Sequence, residues 1–290
     1  MSKARFPIAV TGASGFIGRT IASLEHVKVL PVTRALDIDP RARAVVHLAW
    51  HANPADYLVS PQNVSSADHA IATATAAAKM GIPFVGVGTC VEYAGSEVDL
   101  VESGRTVAGS VYATEKLRAL KTTREVCKQL DVAWLWARIF YPFGAGEHPA
   151  RLVPQVVKAV SKSEPISLGP CSQIRDQIDV RDVALALACL AMQSAEGRAE
   201  AGGIFNVSLG SAIPLRDWLT ALAGDRAYLL HFAEPASGNA PERVVGNNSR
   251  LRLLGWTPRH LSPPHWSTLA SSPNADSRQY KLSHSKKESP

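Results

Sequence analysis

No uninterrupted apolar run in this 290-residue chain approaches the ~20 residues that a bilayer-spanning helix needs. Nor does the chain open on a basic stretch followed by an apolar leader. Cysteine is scarce. Cys90, Cys127, Cys171 and Cys189 stand far apart, with no CxxC pair and no histidine spacing of the zinc type. That argues against a disulfide framework and against a metal site. Clusters of lysine and arginine interleaved with aromatics are also missing, so the formal charge of +6 carries no expectation of a nucleic-acid partner. Lys286-Lys287 lies in a polar stretch and reads as solvated. These absences lead to the expectation of a cytoplasmic protein with no membrane partner.

What is present is the composition of a folded globular chain, 46% hydrophobic and 19% charged. Its length suits one large domain or two small ones. Apolar runs at Phe6 to Thr11, Val27 to Val32, Ala44 to Ala49, Phe84 to Gly88 and Val132 to Phe140 read as buried strands. Between them lie helical patterns at Phe16 to Leu24, Ser65 to Met80 and Val111 to Leu130. Such alternation predicts a parallel sheet covered on both faces. Beyond Pro142 the pattern loosens, with helices expected at Leu152 to Val160, Asp182 to Met192 and Leu215 to Ala223, and a strand at Gly203 to Val207. Residues 262–290, rich in Ser, Pro, Lys and His, read as a poorly ordered tail.

The first strand runs into Gly12-Ala13-Ser14-Gly15-Phe16-Ile17-Gly18. Three glycines at this spacing, after a strand and opening a helix, have separate physical tasks. Gly12 permits the turn, Gly15 lets the backbone approach a ligand, and Gly18 allows close packing. Free N–H groups and the positive end of the helix dipole then favour a pyrophosphate. After the second strand comes Thr33-Arg34. NAD binders place an acidic residue there for the ribose hydroxyls, while an arginine accommodates a 2′-phosphate. Arg34 therefore favours NADP(H), with NAD(H) the alternative and Asp37 or Asp39 still able to face the adenosine.

Tyr112 and Lys116 stand four apart on a predicted helix and so share a face. A nearby ammonium favours the phenolate, which would lower the tyrosine pKa and suit it to exchange a proton with a carbonyl or alcohol. Thr89 closes a strand, where ligands of parallel sheets bind, and its hydroxyl would reach the same oxygen.

In this order the residues resemble the extended short-chain dehydrogenase/reductases of the nucleotide-sugar epimerase/dehydratase type. Thr11 to Gly18 resembles the cofactor turn, and His47-Leu48-Ala49 the fourth-strand motif. Asn63 stands where the family has a helix asparagine. Gly88-Thr89-Cys90-Val91-Glu92-Tyr93 resembles the strand-end segment, and Tyr112 with Lys116 the catalytic pair. Arg138 to Gly144 resembles the entry to the substrate lobe, and Arg175 to Val183 the arginine–aspartate motif. Phe205-Asn206-Val207 and Leu254 to Pro258 resemble its last signatures. The resemblance implies an α/β Rossmann-type doubly wound parallel sheet with a smaller C-terminal substrate-binding lobe. Residues 1–142 and 172–206 would form the cofactor domain, and 143–171 with 207–261 the lobe. It implies cofactor contacts from Gly12, Ser14, Gly15, Phe16, Ile17, Gly18, Leu48, Ala49, Tyr112 and Lys116. Thr89, Cys90, Tyr141 and Arg175 would meet a nucleotide-sugar substrate, with Arg175 on its diphosphate. A homodimer through a four-helix interface is implied by analogy.

The departures sharpen the expectation. The family's 4,6-dehydratases carry an Asp-Glu pair directly after the strand-end threonine, where this chain has Cys90 and Val91. Valine transfers no proton, so dehydration is not expected. Tyr141 stands where many members have an asparagine, which alters substrate contacts and speaks against a standard UDP-hexose 4-epimerase. The stretch from Gly18 to Ala44 is short for the family, as though a helix and strand were trimmed. The reading is an NAD(P)H-dependent 4-ketoreductase of a nucleotide-linked 4-keto-6-deoxy sugar. Its alternatives are an epimerase with retained NAD and a non-catalytic NADP-binding scaffold.

Overall fold

The computed structural model describes residues 5–95, 98–197, 202–234 and 242–271. The chain begins β1 (Phe6–Thr11), α1 (Phe16–Ala22), β2 (Val27–Val32), β3 (Ala44–His47), α2 (Gln62–Lys79), β4 (Phe84–Thr89), α3 (Val111–Gln129) and β5 (Trp134–Ile139). It continues through β6 (Pro142–Phe143), α4 (Leu152–Ser161), β7 (Ile166–Leu168), β8 (Ile174–Arg175), β9 (Ile178–Asp179), α5 (Val180–Ala195) and β10 (Gly202–Val207). It closes with β11 (Ile213–Pro214), α6 (Leu215–Ala223), β12 (Leu230–Phe232), β13 (Arg243–Val244), α7 (Ser249–Leu253) and α8 (Trp266–Ala270).

Six strands form one sheet in the order β10-β5-β4-β3-β1-β2, every neighbour parallel. The doubly wound parallel sheet of the sequence reading is therefore the observed one. Chain order reverses at β1, with β2 on one side and β3 on the other, which opens a crevice beyond the carboxyl ends of β1 and β3. Alternating side chains of the sheet feed two cores. One packs Ile8, Val10 and Val46 against Ile21 of α1 and the apolar face of α5. The other packs Ala9, Val45 and Phe84 against the alanines of α2 and Ala119 and Leu120 of α3.

The sheet stops at β2, one strand short of the doubly wound order that places a further strand outside it. Between β2 and β3 the chain makes only a single 3₁₀ turn, Ala35–Asp37. That short crossover is the trimming visible in the sequence. β3 ends at His47 rather than Ala49 because the Thr11 hydroxyl accepts the Leu48 and Ala49 N–H groups, each at 3.1 Å. The Leu48 N–H is shared with the Thr11 carbonyl at 3.3 Å, and the Ala49 N–H leaves the ladder as the chain turns toward the crevice.

A separate core lies beyond the sheet. Phe143, the valines of α4, and Leu215, Trp218, Leu219 and Leu222 of α6 pack together. Trp266, Leu269 and Ala270 of α8 pack against that core. The expectation of a poorly ordered tail from 262 onward is corrected at residues 266–270, which form a helix. An apolar set at i, i+3 and i+4 gives residues 266–270 a half-buried face despite the Ser- and Pro-rich surroundings. The rest of that tail, 272–290, lies outside the described residues.

Candidate active site

At the switch point Gly12 adopts φ +65°, and a Cβ there would lie 2.9 Å from the Ala49 amide nitrogen. A Cβ on Gly18 would come within 2.4 Å of the Gly12 carbonyl oxygen. Both positions exclude any side chain, and they fold the turn tightly between β1 and the 48–49 segment. Gly15 N-caps α1 with no side chain capping the first turn. The only heavy atom close to a Cβ added at Gly15 is the Gly12 oxygen, at 3.1 Å. The turn is thus bare on its outer side and fits the diphosphate of a dinucleotide.

That turn forms one wall of a cavity of about 1140 Å³. The volume exceeds the ~300–1,000 Å³ of a pocket for one small molecule. Its lining includes Gly12, Ser14, Gly15, Phe16, Ile17, Gly18, Leu48 and Ala49 from the cofactor side. Thr89, Cys90, Tyr112, Lys116, Tyr141 and Arg175 line it as well. Of the candidate cofactor-binding residues, Arg34 is not brought to this cavity, and neither is Asp37 or Asp39. The Arg34 side chain is exposed and forks onto Asp37, Nε at 3.0 Å and Nη2 at 3.1 Å, within the 3₁₀ turn that replaces the missing helix and strand.

Thr89 ends β4, and its hydroxyl accepts the Val91 N–H at 3.3 Å; it lines the same cavity as the Tyr112 phenol. α3 starts at an N-cap, Ser110, whose hydroxyl accepts from the Ala113 N–H at 3.1 Å. That start presents Tyr112 and Lys116 on one helix face. Tyr112 is bracketed edge-on by Tyr57 at 5.2 Å and Trp50 at 6.2 Å between ring centroids. Burial pushes its phenol well above the ordinary value, and the Glu92 charge adds to this. Lys116 is 4% exposed and donates to the Val87 carbonyl at 2.7 Å. Burial holds its ammonium down at about 7, against the charge of Glu92. The expected lowering of the tyrosine by the lysine is therefore corrected. Lys116 is itself desolvated, and burial acts on the phenol in the opposite direction.

β4 does not run on through Val91. It breaks into a 3₁₀ turn, Cys90–Glu92, that swings Glu92 away from the cavity. Glu92 is fully buried and accepts from the Thr89 N–H at 2.9 Å, Trp136 Nε1 at 3.2 Å and Arg138 Nε at 2.7 Å. All of its capacity is spent on structure. Cys90 does face the cavity, but burial raises its thiol to about 12. Arg175 lies over the Tyr141 ring at 5.2 Å and donates to Glu242 at 2.6 Å. The neighbouring aspartates are structural. Asp176 accepts the Leu209, Gly210 and Gly246 N–H groups, and Asp182 those of Arg259 and His260.

Several cavity residues escaped the sequence reading. Trp50, His51, Asp56 and Tyr57 follow β3, and Glu147 and Arg151 follow β6. His51 Nε2 pairs with Asp56 at 2.8 Å, and the Arg151 guanidinium lies 4.7 Å over the Tyr57 ring, joining the two loops. The signal that could have found the first set is position, since they lie directly beyond the carboxyl end of β3. Among the described residues no group of three or more His, Cys, Asp or Glu could hold a metal, and no helix is long and apolar enough to cross a membrane.

A switch-point cavity with a bare glycine turn and a Thr–Tyr–Lys set defines a dinucleotide-binding site of the Rossmann class. The chain belongs to the NAD dependent epimerase/dehydratase family, whose model matches residues 31–208. Two solved structures show the same fold. A UDP-glucose 4-epimerase from Brucella ovis in complex with NAD superposes with a TM-score of 0.74 at 17% identity, over 91% of this chain and 95% of that one. RMD from Pseudomonas aeruginosa, complexed with NADPH, does so with a TM-score of 0.72 at 20% identity, over 90% and 97%. Among curated proteins, the low-salt glycan biosynthesis protein Agl12 of Haloferax volcanii is 23% identical over 151 residues. That match covers 51% of this chain and 47% of the relative, about half its length.

Proposed function

We propose that the protein is an NAD(P)H-dependent reductase of a nucleotide-linked 4-keto-6-deoxy sugar. The observation that carries the reading is the placement of Thr89, Tyr112 and Lys116 in one cavity with the glycine turn, with the carboxylate of Glu92 taken up by Arg138 and no other carboxylate at positions 90–92. A nicotinamide bound against the glycine turn would supply hydride to the ketone carbon. Tyr112 donates its proton to the oxygen of that ketone, and Thr89 orients the same oxygen. Lys116 holds the cofactor ribose and, when charged, eases the departure of the tyrosine proton. Arg175 is assigned to the substrate diphosphate, and Cys90 and Tyr141 to the sugar side. Reduction begins from a protonated phenol. Epimerisation would begin with the same group taking a proton from an alcohol.

Dehydration across C5 and C6 needs two proton-transfer groups next to Thr89. Val91 has none, the Cys90 thiol is locked protonated, and Glu92 is consumed by Arg138. NADP(H) is the favoured cofactor, through Arg34, with NAD(H) the alternative. A homodimer through α2 and α3 belongs to the same proposal. The second reading, an epimerase with retained NAD, draws support from the size of the cavity, which would let a sugar turn over.

The test is a panel assay. Reduction of a nucleotide-linked 4-keto-6-deoxy sugar should consume NADPH, and incubation of the matching nucleotide-linked glucose with NAD should give no dehydrated product by mass spectrometry. Purified protein carrying tightly bound NAD and interconverting 4-epimers would replace this reading with the second.

A further inference from the structure

The loop after β6 reads Gly144-Ala145-Gly146-Glu147-His148. Gly144 and Gly146 take φ values of 144° and 83°, and a Cβ on Gly144 would meet Val180 Cγ1 at 2.7 Å. The backbone path is thereby fixed, with the Glu147 N–H returning to the Gly144 carbonyl at 3.2 Å. Arg19 of α1 then ties this loop to the glycine turn, donating to the Gly146 carbonyl at 3.2 Å and to the Ser14 carbonyl. The result places Glu147 in the cavity wall, with its Oε2 buried and without a hydrogen-bond partner.

We propose that Glu147 is a proton-carrying donor to a diphosphate oxygen in the cavity, so that a diphosphate ligand binds together with a proton. The inference rests on the reading of this cavity as the dinucleotide and nucleotide-sugar site. An unpartnered buried oxygen is costly whether it lacks a donor or an acceptor. Protonated, it needs an acceptor, and a diphosphate supplies one through a short charge-assisted bond. Ionised, it would repel the same ligand. Burial already lifts this carboxyl to about 8, with Arg151 and a Gly144 hydrogen bond opposing. The other charged or titratable groups around it are Arg19, His148, whose pKa is lowered by burial and by Arg151, and, in the same cavity, Lys116, Arg175, the His51–Asp56 pair, Cys90 and the phenols of Tyr57, Tyr112 and Tyr141. The Arg19 tie to Ser14 points to the dinucleotide diphosphate rather than the substrate one.

The sign follows from linkage. Below about pH 8 the free protein already holds the proton, and above it binding must take one up. Calorimetric titration of the wild type with NADPH, NADH and, separately, UDP, in buffers of different ionisation heat, reads this directly. Near pH 8 roughly half a proton should be taken up per dinucleotide, and Kd should weaken up to about tenfold per pH unit above that. Glu147→Gln keeps a neutral donor. It should bind the dinucleotide within about threefold of wild type at pH 7 and lose the uptake, leaving only whatever Lys116 and the histidines contribute to both proteins. Uptake seen with UDP alone would move the same donor to the substrate diphosphate. Tight dinucleotide binding with no proton uptake, or equal uptake in Glu147→Gln, would overturn the inference while sparing the functional reading. Failure of the wild type to bind any of the three probes would overturn both.

Discussion

The Lys116 ammonium nitrogen sits 3.6 Å from the centre of the Trp50 ring. Trp50 is in turn anchored through its indole N–H to Asn63 Oδ1, at 2.8 Å. The ring face favours the charged lysine, but the same ring keeps water away from it. Exclusion of water wins, since the ammonium is held down at about 7. Above that pH Lys116 loses the charge that assists Tyr112. Wild-type kcat/KM should therefore fall as pH rises through about 7. In Trp50→Leu, water reaches the amine and the falling limb should move up by roughly one pH unit. A limb that stays in place would show that Trp50 does not set the lysine's charge.

Tyr112→Phe keeps the ring between Trp50 and Tyr57 and removes only the hydroxyl. Turnover should drop by about two to four orders of magnitude, with dinucleotide affinity unchanged by fluorescence titration. Near-normal turnover would remove Tyr112 from the mechanism.

Glu92 and Arg138, 0% and 2% exposed in their side chains, form a buried ion pair beneath the site. Removing one member strands the other. Glu92→Ala should cost about 3–5 kcal/mol in urea unfolding. Adding Arg138→Met should recover part of that loss, though not the part owed to the Thr89 and Trp136 hydrogen bonds. A single variant as stable as wild type would show that water reaches the pair.

Arg34 carries the cofactor proposal from the surface. Its guanidinium is shared with Asp37, an exposed partner that a 2′-phosphate would outcompete. Arg34→Asp should weaken NADPH binding by about tenfold or more and leave NADH nearly unchanged. Equal effects on the two cofactors would withdraw the preference for NADP(H).

α8 lies in a segment whose composition reads as dispensable. Trp266 packs on the lobe core and is covered by the Arg226 guanidinium at 4.4 Å. Truncation after Leu261 should expose that core and lower the Tm by about 5 °C, as expected from two or three half-buried side chains. An unchanged Tm would mean the contact adds nothing.

The parts of the site legible in the sequence are those set by local backbone demands. Gly12 and Gly18 are required by contacts within their own turn, and the Tyr112–Lys116 spacing is a property of any helix. The parts that were not legible depend on neighbours distant in sequence. The ionisation of Lys116 is governed by a ring 66 residues earlier, and that of Glu147 by a loop pinned to α1. That Glu92 is the partner of Arg138, on the adjacent strand β5, was likewise not readable from its place in the chain. The alternation of strands and helices gave away the layered fold, whereas the ordered end of the tail was masked by its prolines and serines.

The sheet's ending at β2 carries a consequence for how the molecule behaves in a crowd. A strand at the margin offers unpaired backbone to any other chain, and long bare margins seed fibrils. Here the margin is only six residues long, with Lys28 and Pro31 exposed along it. Proline is accepted in a strand where its missing N–H would have pointed outward. The charge and the absent donor together make β2 a poor template, so the loss of an outer strand left behind a border that discourages self-association.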